Sequence, residues 1–524
     1  MVHRTIASAP HRTFSEVVDV LRKHSSNESI RIAQQGHGRP IVSTKVGDYT
    51  IVATGNSIHW SKNWKTFTDF LSDYVKKTLG SEWGNAEIAK PLENRHPILQ
   101  WYDAFCRYQA THKSEKKGEL FSAPFNGVAH CYLGLAYNLY LLDHNVELQA
   151  RFVARLKDIR QFQGAYYELI VANCMIRAGF RLELENEVDQ SIKHCEFSAF
   201  STETGIRYWV EAKMRSVPGV LGKTTADGSP SNDPTSQLTR HLSEALKKPA
   251  PDQRIIFVDL NAQPVEDAPS PPWLDQAVRR LDSRERDLKR GEEAYLFITN
   301  MAFHRALEST APRREVLAHG LGIPDFGKPG KIRLSDWYRQ KQKHKDAHKV
   351  IEALKTYPQI PDTFDGRPAS EVFGKSSSNR LLIGETYFFE DIGEHGLVGK
   401  VSSVAVSERE KIAYVAVNSI DGKGNILKSE LSDNELADYK KYGDAYFGDT
   451  ENRHHESKDI FELYEFLVRN YTKTPRDKLL IIAKDRSDIE RLKTLDQPDL
   501  VLEICEGYAA SIGNRPSKKL ADSK

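Results

Sequence analysis

Residues 194–214 read HCEFSAFSTETGIRYWVEAKM, and the fold depends on how the two halves of that stretch face each other. Thr202-Glu203-Thr204-Gly205 is a turn signal closed by glycine. On either side of it runs a segment that alternates with the period of a strand. In the second segment Ile206, Tyr208, Val210, Ala212 and Met214 fall on one face, and Arg207, Trp209, Glu211 and Lys213 on the other. In the first, Cys195, Phe197 and Ala199 oppose His194, Glu196 and Ser198. Pairing the two about the centre of the turn sets Glu196 directly across from Glu211, and His194 across from Lys213. Cross-strand partners have Cβ atoms only about 4.5–5.5 Å apart. Two carboxylates that close repel each other, so the pair calls for a proton or a cation.

Upstream, residues 166–178 have helical spacing and stop at Gly179, a good C-terminal stop. Glu168 sits in that helix with Val171, Ala172 and Met175 at i+3, i+4 and i+7, so a carboxylate interrupts an apolar stripe. The plain alternative is a helix-edge acid reaching solvent or Arg177. An alternating strand follows over residues 181–188. Downstream, a polar loop covers residues 216–232, and Asp233-Pro234 opens a helix carrying Leu238, Leu242, Ala245 and Leu246 to a stop at Lys247-Lys248-Pro249. Strands are expected at residues 255–260 and 294–299. This order of elements implies an α/β sandwich around one mixed sheet.

A helix glutamate, a hairpin acid and an acid-x-lysine tripeptide in that order resemble the PD-(D/E)XK nuclease superfamily. The matching positions are Glu168, Glu196 and Glu211-Ala212-Lys213, with Gln237 on the next helix as in some members. The resemblance covers roughly residues 147–300. It departs from the family where Cys195-Glu196 stands for a Pro-Asp pair. The same tripeptide spacing recurs at Glu115-Lys117, Asp287-Lys289, Asp421-Lys423, Asp438-Lys440 and Glu456-Lys458, all in polar surroundings; only Glu211-Lys213 ends an apolar strand. The resemblance implies a restriction-endonuclease-like αβββαβ core and hydrolysis of nucleic acid, DNA ahead of RNA. Glu196 and Glu211 would hold magnesium, or manganese in its place. Lys213 would offset charge or orient water, and Glu168 would position water. By analogy alone, such enzymes serve in bacterial restriction or anti-phage defence. Asp189 is the rival to Glu196 by side-chain type, but it lies earlier by roughly 23 Å of extended chain. Two other readings stay open. One is a nucleic-acid-binding scaffold whose centre has decayed, and the other a structural α/β protein with Glu211 and Lys213 as a surface ion pair.

The 524-residue chain exceeds one hydrophobic core. Its expected parts are a mixed α/β then helical region at 1–145, the nuclease-like domain at 146–305, a basic helical connector at 306–375 and a small β module with a helical tail at 376–524. Hydrophobic residues at 39% and charged residues at 28% describe an ordinary globular protein. No apolar run is long enough to cross a bilayer, so no membrane partner is expected. Five scattered cysteines without a CxxC pair argue against zinc and disulfides, which fits the cytoplasm. A homo-oligomer or a partner protein is compatible with the sequence. The net charge of +2 announces no nucleic-acid partner by itself. Positive charge concentrates at residues 331–349, which include Arg333, Arg339, Lys341, Lys343, Lys345 and Lys349 around Trp337 and Tyr338. Phosphate contact and a solvated helix face are equal readings of that stretch.

Overall fold

The computed structural model describes residues 14–112, 120–184, 196–222, 233–328, 332–374, 380–390, 396–419, 422–449, 457 and 459–513. The chain divides into two compact units, residues 1–323 with 349–452, and residues 324–348 with 453–524. In the first unit the helices up to the large sheet are α1 (Phe14–Gln35), α2 (Phe67–Leu79), α3 (Ser81–Ile88), α4 (Pro97–His112), α5 (Gly127–Asn145), α6 (Ala150–Lys157) and α7 (Phe162–Arg177). An antiparallel sheet of β1 (Val42–Val46), β2 (Tyr49–Thr54) and β3 (Ser57–Ser61) lies between α1 and α2 in the chain. β1 and β2 turn at Gly47-Asp48, where the sequence carries a turn signal, whereas β3 is poorly marked. Its alternation is short and ends in the polar Ser61-Lys62-Asn63.

The large sheet is mixed and six-stranded, in the order β4 (Phe180–Leu184), β5 (Phe197–Ser201), β6 (Arg207–Met214), β7 (Gln253–Asp259), β8 (Ala294–Asn300) and β9 (Glu315–Leu321). β4, β5 and β6 form an antiparallel meander, and β6 then pairs parallel with β7, as does β7 with β8. Parallel neighbours require crossovers, supplied by α8 (Leu238–Leu246) and α9 (Leu274–Arg286). Gly179, at φ 94°, turns the chain from α7 into β4, a conformation glycine adopts without strain. From α7 to β7 the order is therefore αβββαβ. The sheet is longer than expected: β9 pairs antiparallel with β8 beyond residue 305, the expected end of that domain. α8 starts at Leu238, after a turn in which Asp233 accepts the Thr235 N–H at 2.8 Å, rather than at Asp233 itself. β4 ends at Leu184, and the remainder of the strand expected to Val188 lies outside the described residues, as do Asp189 and His194.

The sheet's two faces bury different helices. α8 and α9 cover Ile256, Val258, Leu296 and Ile298 with Leu238, Leu242, Ala277 and Leu281. The other face carries α7: Tyr167 meets Thr299 hydroxyl to hydroxyl at 2.7 Å, and Phe257 stacks on Phe297 with centroids 5.1 Å apart. Asp259 closes the carboxyl ends of β7 and β8. It is fully buried, accepts the Thr299 hydroxyl and the Met301 and Asn261 N–H groups, and burial still pushes its carboxyl up to about 6. Further along the same unit, β10 (Thr386–Phe389), β11 (Leu397–Ser407), β12 (Ile412–Ser419) and β13 (Gly424–Glu430) form a curved antiparallel half-barrel over Val401, Val415 and Val417.

The second unit is helical. The helix Leu334–Lys343 gives Leu334, Trp337 and Tyr338 to a core built by Tyr464, Leu479, Leu492, Leu500 and Cys505. Within the basic stretch several cations are ion-paired, which the sequence alone does not show. Arg339 pairs with Asp336 and Asp499 at 3.0 and 2.8 Å, Lys341 with Glu465, Lys343 with Asp325, and Arg333 with Glu503 and Glu506. Lys345 begins the next helix, Lys345–Lys355. The sequence shows the cations as a cluster because their acids lie up to 173 positions away. Among the described residues no helix is long and apolar enough to cross a membrane.

Phe257→Ala should lower the unfolding free energy by about 3–5 kcal/mol, because it opens a cavity between the sheet and α7. Chemical denaturation reads this directly. A loss below about 1 kcal/mol would mean that this face does not carry the helix.

Candidate active site

The β5–β6 register runs Phe197↔Val210, Ser198↔Trp209, Ala199↔Tyr208 and Phe200↔Arg207. This is the pairing about the Thr202–Gly205 turn, and one step further it places Glu196 opposite Glu211. Glu196 stands just before β5 and is tied to β6 by its own N–H, which donates to the Val210 carbonyl at 3.1 Å. Glu211 is 1% exposed. Its row in the sheet continues into Ile256 and Leu296, so its side chain faces the α8 side.

A carboxylate buried this deeply needs cations, and two meet it. Lys213, two residues along the same strand face, pairs with Glu211 and lies 3.2 Å from Glu196. Lys248, just past the end of α8, reaches the two Glu211 oxygens at 2.7 and 2.8 Å and Glu196 at 3.5 Å. Each ammonium thus touches both carboxylates. Burial raises the Glu211 pKa, and the Glu196 charge adds to this against the opposing pull of Lys213 and Lys248. For Lys213, burial disfavours the charge, but Glu211 and then Glu196 outweigh it and hold the pKa above its ordinary value. Lys213 therefore stays protonated.

Glu168 enters from the opposite face on α7, 8% exposed and held by Arg155 of α6 at 2.6 Å. Burial first, then the Glu196 charge, push its carboxyl up to about 7 despite Arg155. Glu168 and Glu196 line one cavity of about 30 Å³, closed by Leu142, Arg155 and Leu184. That is room for a water molecule. Glu196 is therefore the hinge of the site: it shares a cavity with Glu168 and two cations with Glu211.

The structure thus brings together Glu168, Glu196, Glu211 and Lys213. It leaves out Gln237, which meets Arg240 at 3.4 Å at the start of α8; in the second unit Arg339, Lys341 and Lys343 are engaged in ion pairs. Sequence reasoning missed three participants. Arg155 lies on a separate helix with no periodic link to Glu168. In the sequence Lys248 reads only as part of a helix stop. A signal existed, since a helix joining two parallel strands must return its C-terminal end to the starts of those strands. His241 on α8 is the third. It is buried, burial and then Arg240 push it down to about 4, and Lys213 adds to that effect, so its ring is neutral.

No group of three or more His, Cys, Asp or Glu gathers at metal-holding spacing among the described residues. The donors nevertheless suit a hard cation. Glu196 and Glu211 offer carboxylate oxygens and already share cations at one point, here supplied by ammonium groups. No family model, curated protein or solved structure matched the chain when each was searched.

The raised Glu168 pKa sets a stability slope. Glu168 folds more readily in its protonated form, so stability present below about pH 4.5 is lost as the pH rises through about 7. Glu168→Gln should remove up to about 3 kcal/mol of that loss, relative to wild type, across this window. Denaturation midpoints measured from pH 4.5 to 8 in the presence of chelator test this. Parallel slopes for the two proteins would mean that Glu168 is ionised throughout.

Proposed function

We propose that this protein is a metal-assisted phosphodiester hydrolase of nucleic acid, with DNA favoured over RNA and a restriction-endonuclease-like core of the PD-(D/E)XK type. The observation that carries the reading is the pairing of Glu196 with Glu211 across the β5–β6 hairpin, bridged by Lys213 and backed by Glu168 on the preceding helix. The αβββαβ order with its parallel β6–β7 step supports it independently.

Magnesium, or manganese in its place, would be held by Glu196 and Glu211 and would supply a Lewis acid for the phosphodiester. The chain's own residues divide the remaining work. Lys213, fixed on β6 and protonated, offsets the negative charge that builds on the phosphorus oxygens at attack. It cannot serve as a base. Glu168, titrating near 7, can take a proton from a water in the cavity it shares with Glu196. Arg155 orients Glu168 and holds the Glu168–Glu196 repulsion in check. Restriction or anti-phage defence is the biological setting that the resemblance suggests.

One feature favours a second reading, a nucleic-acid-binding scaffold with a spent centre. Arg155, Lys213 and Lys248 already balance Glu168, Glu196 and Glu211 in charge.

Incubation with plasmid DNA and with RNA, in magnesium and in chelator, separates the two. Cleavage should require the divalent ion, and Lys213→Ala should slow it roughly 10²–10³-fold while circular dichroism stays native. Undiminished cutting in chelator would overturn the metal mechanism, and binding without cutting in any divalent ion would favour the scaffold.

A further inference from the structure

Lys248 touches both carboxylates of the centre, yet no reactive step above uses it. Its ammonium lies 2.7 Å from one Glu211 oxygen, 2.8 Å from the other and 3.5 Å from Glu196. These contacts occupy the oxygens a divalent ion would need. With Lys213 present as well, the Glu196–Glu211 pair is neutral before any metal arrives. A dication added to this arrangement would stand within a few ångströms of two ammonium groups in a buried site, where like charges are poorly screened. One of the two must leave.

The structure distinguishes them. Lys213 is a residue of β6, paired in register with Val258 of β7, so its backbone is fixed by the sheet on which the site is built. Lys248 lies beyond the last residue of α8, in a turn that runs through exposed Pro249, Pro251 and Asp252. Its carbonyl is anchored by Arg254 at 2.9 Å; its side chain is 15% exposed against 24% for Lys213, so what frees the ammonium is a flexible four-carbon stem rooted at an exposed turn rather than present exposure. It can swing to solvent while the backbone stays in place.

We propose that Lys248 is a built-in counter-ion that holds Glu196 and Glu211 at cation-sharing distance, and that a divalent ion enters the centre by displacing its ammonium. This rests on the metal-assisted reading above and adds a regulatory element to it. Metal affinity is set by competition with a side chain, so loading responds steeply to the free divalent concentration. The carboxylates never face each other without a cation between them, which keeps the metal-free protein folded.

Two measurements on the full chain test this. In the first, calorimetric titration with magnesium chloride compares wild type with Lys248→Met, which keeps the stem and removes the charge, and with Lys248→Gln as a second variant should methionine perturb folding. The uncharged variants should bind magnesium at least tenfold more tightly, while Lys248→Arg should not. In the second, lysines of the wild type are acetylated with and without magnesium and quantified by mass spectrometry. Modification at Lys248 should rise several-fold with the ion while Lys213 stays protected. Equal affinities, or Lys248 modified no faster with magnesium, would overturn displacement even if the protein cuts nucleic acid. Should neither wild type nor the variants bind magnesium, both this inference and the hydrolase reading fall. Binding by the uncharged variants alone would sustain the inference and mark the wild-type centre as closed to metal.

Discussion

A carboxylate almost sealed from water in the body of a sheet is the constraint around which this site is arranged. Leaving Glu211 ionised there without partners would cost far more than a fold can sustain. The neighbouring elements meet that need from different parts of the chain. The strand supplies Lys213 two positions on, and the α8 crossover ends where Lys248 can reach back. The hairpin register adds a second acid, Glu196, and thereby a need for more positive charge than one lysine provides. Glu168 extends the same problem to the other face, where Arg155 answers it. The result is an alternating lattice of acids and bases through the thickness of the sheet, with Glu196 as the link between its two halves.

The Glu168 side of this lattice behaves differently from the Glu211 side. Glu211 has two ammonium partners, whereas Glu168 has one guanidinium and a small cavity, and its carboxyl is lifted into the neutral range. Two carboxyl groups of the same kind are thus given different protonation behaviour by their surroundings. Sites that must both hold a cation and accept a proton need this separation. It arises here because α7 and α8 lie on opposite faces of the sheet and deliver different partners.

The centre was legible in the sequence where its geometry is local. A four-residue turn and strict alternation on both sides fix which residues face each other, so Glu196 opposite Glu211 needed no tertiary information. Glu168 was legible as an acid inside an apolar helical stripe. Lys248 and Arg155 were not, because each reaches the site through a connection whose path depends on how whole elements stack. The basic run around residues 331–349 shows the converse. Clustered in sequence, its charges look unopposed, but Glu465, Asp499, Glu503 and Glu506 arrive from the far end of the chain to meet them. β9 was hidden because an edge strand past a loop carries little periodicity of its own. Asp189 remains outside the described residues, so position rather than side-chain type is what ranks Glu196 above it.

The chain leaves its first compact unit after residue 323, returns at 349 and leaves again after 452. In the segment between, the helix Leu334–Lys343 finds apolar partners among residues 460–513. During synthesis, Leu334, Trp337 and Tyr338 therefore emerge more than a hundred residues before the helices that cover them. Until residues 460–513 have been made, this amphipathic helix lacks those partners, while the sheet that bears Glu211 can already close. A nascent chain that has emerged only as far as the half-barrel would carry a closed large sheet together with a sticky, uncovered helix. The order of translation thus delays burial of that surface until the helices of residues 460–513 have been made.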